Sequence, residues 1–208
     1  QQWDENFKNW LNASLKTTSY KGRKKEEILF QEWKKPANEW FNVMKYLLKY
    51  NENGTESNIT ISLYNGITKS WDNHKRFLME FDGYFAPPST VISENWKSNN
   101  WETVGKYDLT YNGRGKKTSE IRYTWNQSNK RWLEGIKVEM EYDKKGNQIS
   151  YQESKYDAKN RSWMYFNKST SIYNEDGYMT EKTEFKWDRT SEQWELSEKF
   201  KFTTEATM

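Results

Sequence analysis

The chain has no cysteine and a single histidine, His74. Those two shortages remove thiol chemistry, disulfide staples, Cys/His zinc sites and most histidine-based triads. The lack of cysteine does not fix a compartment. No apolar run approaches the roughly 18 residues that a spanning helix needs, so no membrane-spanning segment is expected. Hydrophobic residues make up only 34 % of the 208, against about 45–50 % in ordinary globular domains. With so few Leu, Ile and Val, a thick two-layer core is hard to build. Neither sign of charge dominates: 33 basic and 30 acidic residues leave +3. The signs are interspersed, as where Arg23-Lys24-Lys25 is answered by Glu26 and Glu27. Without a basic face, no nucleic-acid partner is expected. No signal peptide is recognisable. A start at Gln1-Gln2-Trp3 suits a mature chain whose leader has been removed, and equally a trimmed one.

What the chain has instead is aromatic residues. Twelve Trp and fourteen Tyr argue against the disorder that low hydrophobicity would otherwise suggest. Their placement is periodic. The second tryptophan of a recurring pair falls at Trp10, Trp40, Trp71, Trp101, Trp132, Trp163 and Trp194, in steps of 30, 31, 30, 31, 31 and 31 residues. Ten residues after each of the first six stands Tyr20, Tyr50, Phe81, Tyr111, Tyr142 or Tyr173. One supersecondary unit is therefore copied about seven times.

Each copy opens with an aromatic, six residues and a Trp: Trp3/Trp10, Trp33/Trp40, Tyr64/Trp71, Trp125/Trp132, Tyr156/Trp163 and Trp187/Trp194, with a shortened Trp96/Trp101. Turn formers and charges fill the gap, which predicts a hairpin loop with the two rings paired across its base. Alternation follows. Trp132, Ile136, Val138, Met140 and Tyr142 share one parity, which predicts a strand with one apolar face. Next comes a turn such as Tyr142-Asp-Lys-Lys-Gly146, where Asx begins the turn and Gly supplies positive φ. A returning strand of about ten residues closes the unit, as from Lys116 to Trp125. The returning strands are less clearly two-faced: Ile59, Ile61 and Leu63 take the parity opposite Tyr64. A 3.6 period also fits Glu26 to Trp33 and Trp40, Met44, Leu47 and Leu48. Pro36 interrupts that pattern, and the later copies are rich in Thr, Tyr and Ile at strand parity. The segment Gly83-Tyr-Phe-Ala-Pro87-Pro88-Ser-Thr reads as a bulge or edge loop, because prolines remove ladder donors.

The expected fold is all-β: an antiparallel meander of about seven tandem hairpin repeats of about 31 residues. Thirteen or fourteen strands would form an extended, twisted or curved sheet. The copies run approximately 3–32, 33–63, 64–95, 96–124, 125–155, 156–186 and a partial 187–208, in a single array. The stop just past the first strand of a copy suits an array that continues in a longer chain, or one that has been trimmed.

Trp10, Trp40, Trp71, Trp132, Trp163 and Trp194 are the candidate ligand-binding residues, since rings at regular spacing can stack on sugars. The competing reading makes the same rings the core of a thin sheet. The Asn/Asp turns lack the glycine-rich nonapeptide and the EF-hand spacing of calcium loops. No metal or other cofactor is therefore expected. Carboxylates are plentiful but none stands out, so a glycosidase pair is the weakest reading. His74 has no evident Ser or Cys partner.

The pattern W-N-x5-W followed by x9-Y-D-x-x-G-N resembles tandem repeats of secreted and surface proteins of Bacteroidetes, often placed ahead of a C-terminal secretion-sorting domain. Through Tyr142-Asp143-Lys-Lys-Gly146-Asn147 it is also distantly similar to YD (Rhs) repeats, although this unit is longer and adds the Trp pair. The resemblance covers nearly the whole chain and implies a secreted or outer-surface bacterial address. The resemblance names no ligand or activity; the exact periodicity, the scarcity of special ionisable residues and the mixed charge give three functions as expectations. The first is a noncatalytic scaffold or adhesin that binds protein or glycan through its aromatic face or hairpin loops. The second is a carbohydrate-binding module, and the third a glycoside hydrolase.

Overall fold

The computed structural model describes residues 2–4, 9–11, 13–35, 37–82 and 86–203, with side chains from residue 13 onward. The Trp10 ring, Pro36, the Gly83 end of the third tight turn and positions 83–85 of the proline segment lie outside the described residues. Fifteen strands occur in chain order: β1 (Gln2–Asp4), β2 (Asn9–Leu11), β3 (Ser14–Lys21), β4 (Lys24–Lys34), β5 (Glu39–Tyr50), β6 (Glu56–Asn65), β7 (Ser70–Glu80), β8 (Thr90–Lys97), β9 (Asn100–Tyr111), β10 (Lys117–Asn126), β11 (Arg131–Tyr142), β12 (Gln148–Asp157), β13 (Ser162–Tyr173), β14 (Met179–Asp188) and β15 (Gln193–Lys201). β1 and β2 form a two-stranded sheet with Trp3 opposite Trp10. The remaining thirteen form one antiparallel meander, in which each strand bonds to its neighbours in sequence. Residues 26–33 and 40–48 are strand, as β-branched and aromatic content favours. Positions 86–88 carry no strand.

Two kinds of turn alternate. The tight turns use left-handed glycine, as at Gly54 (φ 90°) and Gly146 (φ 90°). In three of them the Asx three residues before the glycine folds back on the backbone. Asn112 accepts from the amides of Arg114 and Lys116, Asn174 from that of Tyr178, and the Asp143 carboxylate from those of Lys145 and Asn147 at 2.9 Å. The wide loops between the paired aromatics also need positive φ, but there a non-glycine residue supplies it. It falls two positions before the Trp, at Asn38, Lys69, Lys130, Arg161 and Glu192, with φ between 47° and 54°. An Asx after the first aromatic braces these loops. Asn65, Asn126, Asp157 and Asp188 accept from loop amides two or three residues on. The shortened loop Ser98-Asn99 has both residues at positive φ (49° and 59°), the two-residue hairpin turn whose twist matches the strands.

The sequence parity breaks at two repeated points. One lies beside the tight turns, where Glu26, Ser57, Thr118, Ile149 and Thr180 are left over in the returning strands. The other comes after the Trp. Phe30 and Gln31 of β4 face Met44 and Asn42 of β5, which leaves Val43 over. His74, Gly135, Phe166 and Ser197 are left over in the same way in β7, β11, β13 and β15. This second extra residue always comes three after the Trp. Such a bulge turns every following side chain to the other face. Trp132 therefore does not share a face with Ile136, Val138 and Met140, as alternation alone suggested. Cross-strand partners put Trp125 against Trp132 on one face, and Ile136 and Val138 against Arg122 and Glu120 on the other. The bulge also explains the returning strands. Ile59 and Ile61 pair with Leu48 and Tyr46, on the face away from the Trp.

The chain divides into two compact units. The first is Gln1–Phe85 with Val91–Val104, and the second is Ala86–Thr90 with Gly105–Met208. In the first unit the middle of the face away from the Trp pairs is apolar, while nearer the wide loops Lys75, Asp72 and Glu32 oppose Ile61, Leu63 and Phe41. Ile28 opposes Tyr46, Phe30 opposes Met44 and Ile59 opposes Phe77, with the Phe30 and Tyr46 rings 5.2 Å apart. In the second unit the same face is mixed in β10 and β11, where Glu120 and Arg122 oppose Val138 (2 % exposed) and Ile136, with Met140 (8 %) on the same strand. It then turns polar, as Glu153 opposes Asn167 and Ser169 opposes Glu184. Val138 and Met140 are the fully buried apolar side chains among the described residues. Lateral contact between neighbouring strands, rather than a buried layer, does most of the packing.

Candidate functional site

Five of the six predicted Trp residues have described side chains, and all five are half-buried. Each completes an edge-to-face pair across its hairpin. Centroid separations are 5.1 Å for Trp33–Trp40, 5.1 Å for Tyr64–Trp71, 4.9 Å for Trp125–Trp132, 5.2 Å for Tyr156–Trp163 and 5.1 Å for Trp187–Trp194. Trp96–Trp101 forms a sixth pair at 5.0 Å. Each pair is worth about 0.5–1.5 kcal/mol beyond the area it buries. The strands hold the six predicted residues at separate hairpin bases, so they form a series and not one pocket.

Sequence reading missed a second column. Five residues after each Trp from the second copy onward stands a cation: Lys45, Arg76, Lys106, Lys137, Lys168 and Lys199. The bulge turns this position onto the Trp face, where it reaches the next copy. Lys45 Nζ lies 4.8 Å from the Trp71 ring and the Arg76 guanidinium 4.6 Å from Trp101. Lys106 lies 4.2 Å from Tyr123 and 5.9 Å from Trp132, and Lys168 lies 5.9 Å from Trp194. Carboxylates hold most of these cations in place: Lys45 with Glu27 (3.6 Å), Arg76 with buried Glu94 (2.5 Å), Lys106 with Asp108 (2.8 Å), Lys137 with Glu139 (2.7 Å) and Lys199 with Glu181 (2.7 Å). A cation desolvated over an indole contributes up to about 2 kcal/mol. Its signal was present in the sequence as a 31-residue recurrence of Lys or Arg, hidden within the high overall charge.

The aromatic ten residues after the Trp is a further tie. Tyr50, Tyr142 and Tyr173 donate their hydroxyls to the carbonyls of Lys25, Lys117 and Gln148, 25 residues back, at 2.8, 2.8 and 3.0 Å. Neighbouring tight turns are also joined: Arg114 donates to the Lys144 carbonyl, and Lys145 to that of Glu175 at 2.6 Å.

On the opposite face of the second unit two polar clusters lie within the strands. Glu120 is buried. Burial alone would raise its pKa, but hydrogen bonds from Lys117 and Arg122 outweigh this and hold it below the usual carboxylate range. Burial, followed by the hydrogen bond to Glu153, pushes Tyr151 up to about 12. Glu153 also accepts from Asn167 at 3.2 Å. Tyr151, Glu153, Asn167, Ser169, Lys182 and Glu184 line a shallow groove of about 340 Å³.

His74 is exposed, at the bulge of β7. Among the described residues no group of His, Asp and Glu could hold a metal ion, and no helix is long and apolar enough to cross a membrane.

This is a meander of aromatic-cornered hairpins locked copy to copy by cations. No family model and no curated protein matches the chain. Several solved structures are similar to the chain. One is a protein of unknown function from Bacteroides fragilis NCTC 9343, with 12 % identity over 76 % of this chain and 91 % of that one, at a TM-score of 0.40. Two are DUF3836 family proteins. The one from Bacteroides vulgatus ATCC 8482 has 11 % identity over 43 % and 89 % of the two chains, at 0.37. The one from Parabacteroides distasonis ATCC 8503 has 17 % identity over 43 % and 83 %, at 0.38. Likeness at this level carries no activity or ligand across.

Proposed function

We propose that the chain is a noncatalytic repeat module of a secreted or cell-surface bacterial protein, a scaffold or adhesin that binds a protein or glycan partner. One observation carries the reading. The residues that hold the fold recur in most copies, while those on the opposite face change from copy to copy. Among the described residues the aromatic pair recurs in six copies, the bulge after the Trp in five, and a cation over the next Trp in four. The face away from the Trp runs from Ile59, Ile61 and Leu63 in β6 to Tyr151, Glu153 and Lys155 in β12 and to Lys182, Glu184 and Lys186 in β14. A solenoid-like array separates its fold-keeping positions from its binding surface in the same way.

The geometry adjusts the expectation that every Trp is a platform. Trp71 carries the Lys45 ammonium of the preceding copy at 4.8 Å, which supports a structural role for that ring. The test is to incubate the whole chain with glycan and protein panels and read binding and turnover together. Saturable binding with no product is expected. Hydrolysis of any panel member, abolished by replacing one carboxylate, would replace this reading with an enzymatic one.

A further inference from the structure

We infer that the Trp face of the last two copies, at Tyr165, Trp187, Trp194 and Leu196, is a stacking site for a sugar ring of a glycan; the inference rests on the binding-module reading above. The position two residues after the Trp shows why. It holds Asn42, Asn73, Thr103 and Glu134 in four copies, then Tyr165 and Leu196 in the last two. Four copies fold with a polar residue there, so the fold does not require the exchange. The change leaves Tyr165 at 44 % exposure and Leu196 at 63 %, an unfavourable surface unless something covers it.

The exchange also builds a cluster that the other copies lack. The Tyr165 ring lies 4.9 Å from Trp187, edge to face, and 5.5 Å from Trp194. Three rings from β13, β14 and β15 therefore meet, with Leu196 beside them. Lys168 Nζ stands 5.9 Å from the Trp194 ring, and the Lys199–Glu181 ion pair lies further along the same face. A pyranose offers an apolar face of C–H groups and a rim of hydroxyls. It is matched by flat rings with donors and acceptors beside them. A protein partner is a poorer match. Four side chains fall well short of the roughly 800 Å² per side that a stable protein interface buries.

The test titrates the whole chain with neutral gluco-, xylo-, manno- and chito-oligosaccharides, followed by tryptophan fluorescence. It compares the parent with Tyr165→Asn and Leu196→Thr, which install residues that other copies already fold with. Thermal melting checks that both variants remain folded. The expected result is saturable quenching by one sugar series, weakened at least tenfold by Tyr165→Asn and less by Leu196→Thr. Binding left unchanged by both variants would overturn the site while leaving the binding-module reading in place. No binding of any series would overturn the glycan inference and leave only the protein arm of that reading. Self-association of the parent that Tyr165→Asn abolishes would assign the patch to a second copy, and would also overturn the inference. Turnover of a sugar would count against the noncatalytic reading itself.

Discussion

The two units are built on the same hairpin plan, but they stabilise it by different means. At the three alternate positions of a returning strand, β6 of the first unit carries Ile59, Ile61 and Leu63. β14 of the second carries Lys182, Glu184 and Lys186. The facing strands follow suit, with Met44, Tyr46 and Leu48 in β5 against Asn167, Ser169 and Ser171 in β13. The Trp side is nearly constant, with edge-to-face pairs between 4.9 and 5.2 Å in both units. The hairpin plan is therefore specified by the corners and the bulge. The other face is free to be apolar or charged, provided its polar groups are partnered.

The sharpest way to break that comparison is to exchange the two solutions. Ile61→Glu places a carboxylate between Tyr46 and Lys75, and should cost the first unit about 1–2 kcal/mol, mainly through lost apolar burial, because Lys75 offsets part of the charge desolvation. Glu153→Ile, at the equivalent position of the second unit, should cost less than about 1 kcal/mol, because the loss of the Tyr151 and Asn167 bonds is offset by apolar contact with Val138. Urea unfolding with hydrogen exchange read separately in β4–β7 and β10–β14 would measure both. Equal costs would mean that the apolar face is incidental.

Acid should separate the units next. Among the described residues, the carboxylates held below their usual range all lie in the second unit. Glu120 owes this to Lys117 and Arg122, which outweigh its burial. Asp143 and Asp188 owe it first to Asn147 and Ser191 side chains, Asp157 to loop amides and Glu181 to Lys199. A depressed folded pKa stabilises above the unfolded value, near 4, and that contribution disappears as pH falls through the folded value. Glu120 alone should contribute roughly 1–2 kcal/mol through its charge-assisted bonds. Between pH 5 and pH 2, exchange protection should fall first in β10–β15. In alkali the sign reverses. Burial raises Tyr123 and Tyr151 to about 12, so their stabilisation is lost as pH climbs past the ordinary tyrosine value of about 10. Glu120→Gln should flatten the acid limb, and an unchanged limb would remove Glu120 from the account.

These effects show what the sequence revealed and what it concealed. The period, the hairpin, the tight-turn glycines and the paired rings are local features, readable because spacing and residue type alone specify them. The faces were not readable. One extra residue after Trp132, at Gly135, inverts the parity of all that follow, and nothing about Val43, His74, Gly135, Phe166 and Ser197 as residue types marks them as a shared bulge. Only the ladder shows it. The cation column was concealed for the same reason: Lys137 falls on the parity opposite Trp132 and so read as the solvent side. The candidate Trp residues were found as positions, but their neighbours come from other strands. Tyr165 joins Trp187 and Trp194 only once β13, β14 and β15 lie side by side.

A smaller difference concerns the tyrosine ties. Tyr50→Phe and Tyr142→Phe each remove one hydroxyl bond to a carbonyl of the preceding returning strand. The Tyr142 bond is part-buried and the Tyr50 bond exposed, so the costs should be about 1 and about 0.5 kcal/mol. Chemical denaturation of the two variants should resolve the order. Equal losses would indicate that solvent replaces neither bond.

The finest test uses the left-handed loop residue, because here the two units differ by a natural exchange. Asn38 of the first unit and Lys130 of the second occupy the same place, two before the Trp, with φ of 53° and 47°. Asn tolerates this region better than other residues with a β-carbon, because its short polar side chain bonds locally. Lys130→Asn should therefore stabilise the second unit by about 0.5 kcal/mol, and Asn38→Lys should destabilise the first by a similar amount. Glycine is less informative, since the strain it relieves is offset by added freedom in the unfolded chain. Because the exchange removes no ring, bulge or cation, opposite shifts of equal size in thermal melting would show that the loops are interchangeable parts. Shifts of the same sign would mean that each loop is tuned to the face it closes, which would undercut the claim that the corner is specified independently of the rest.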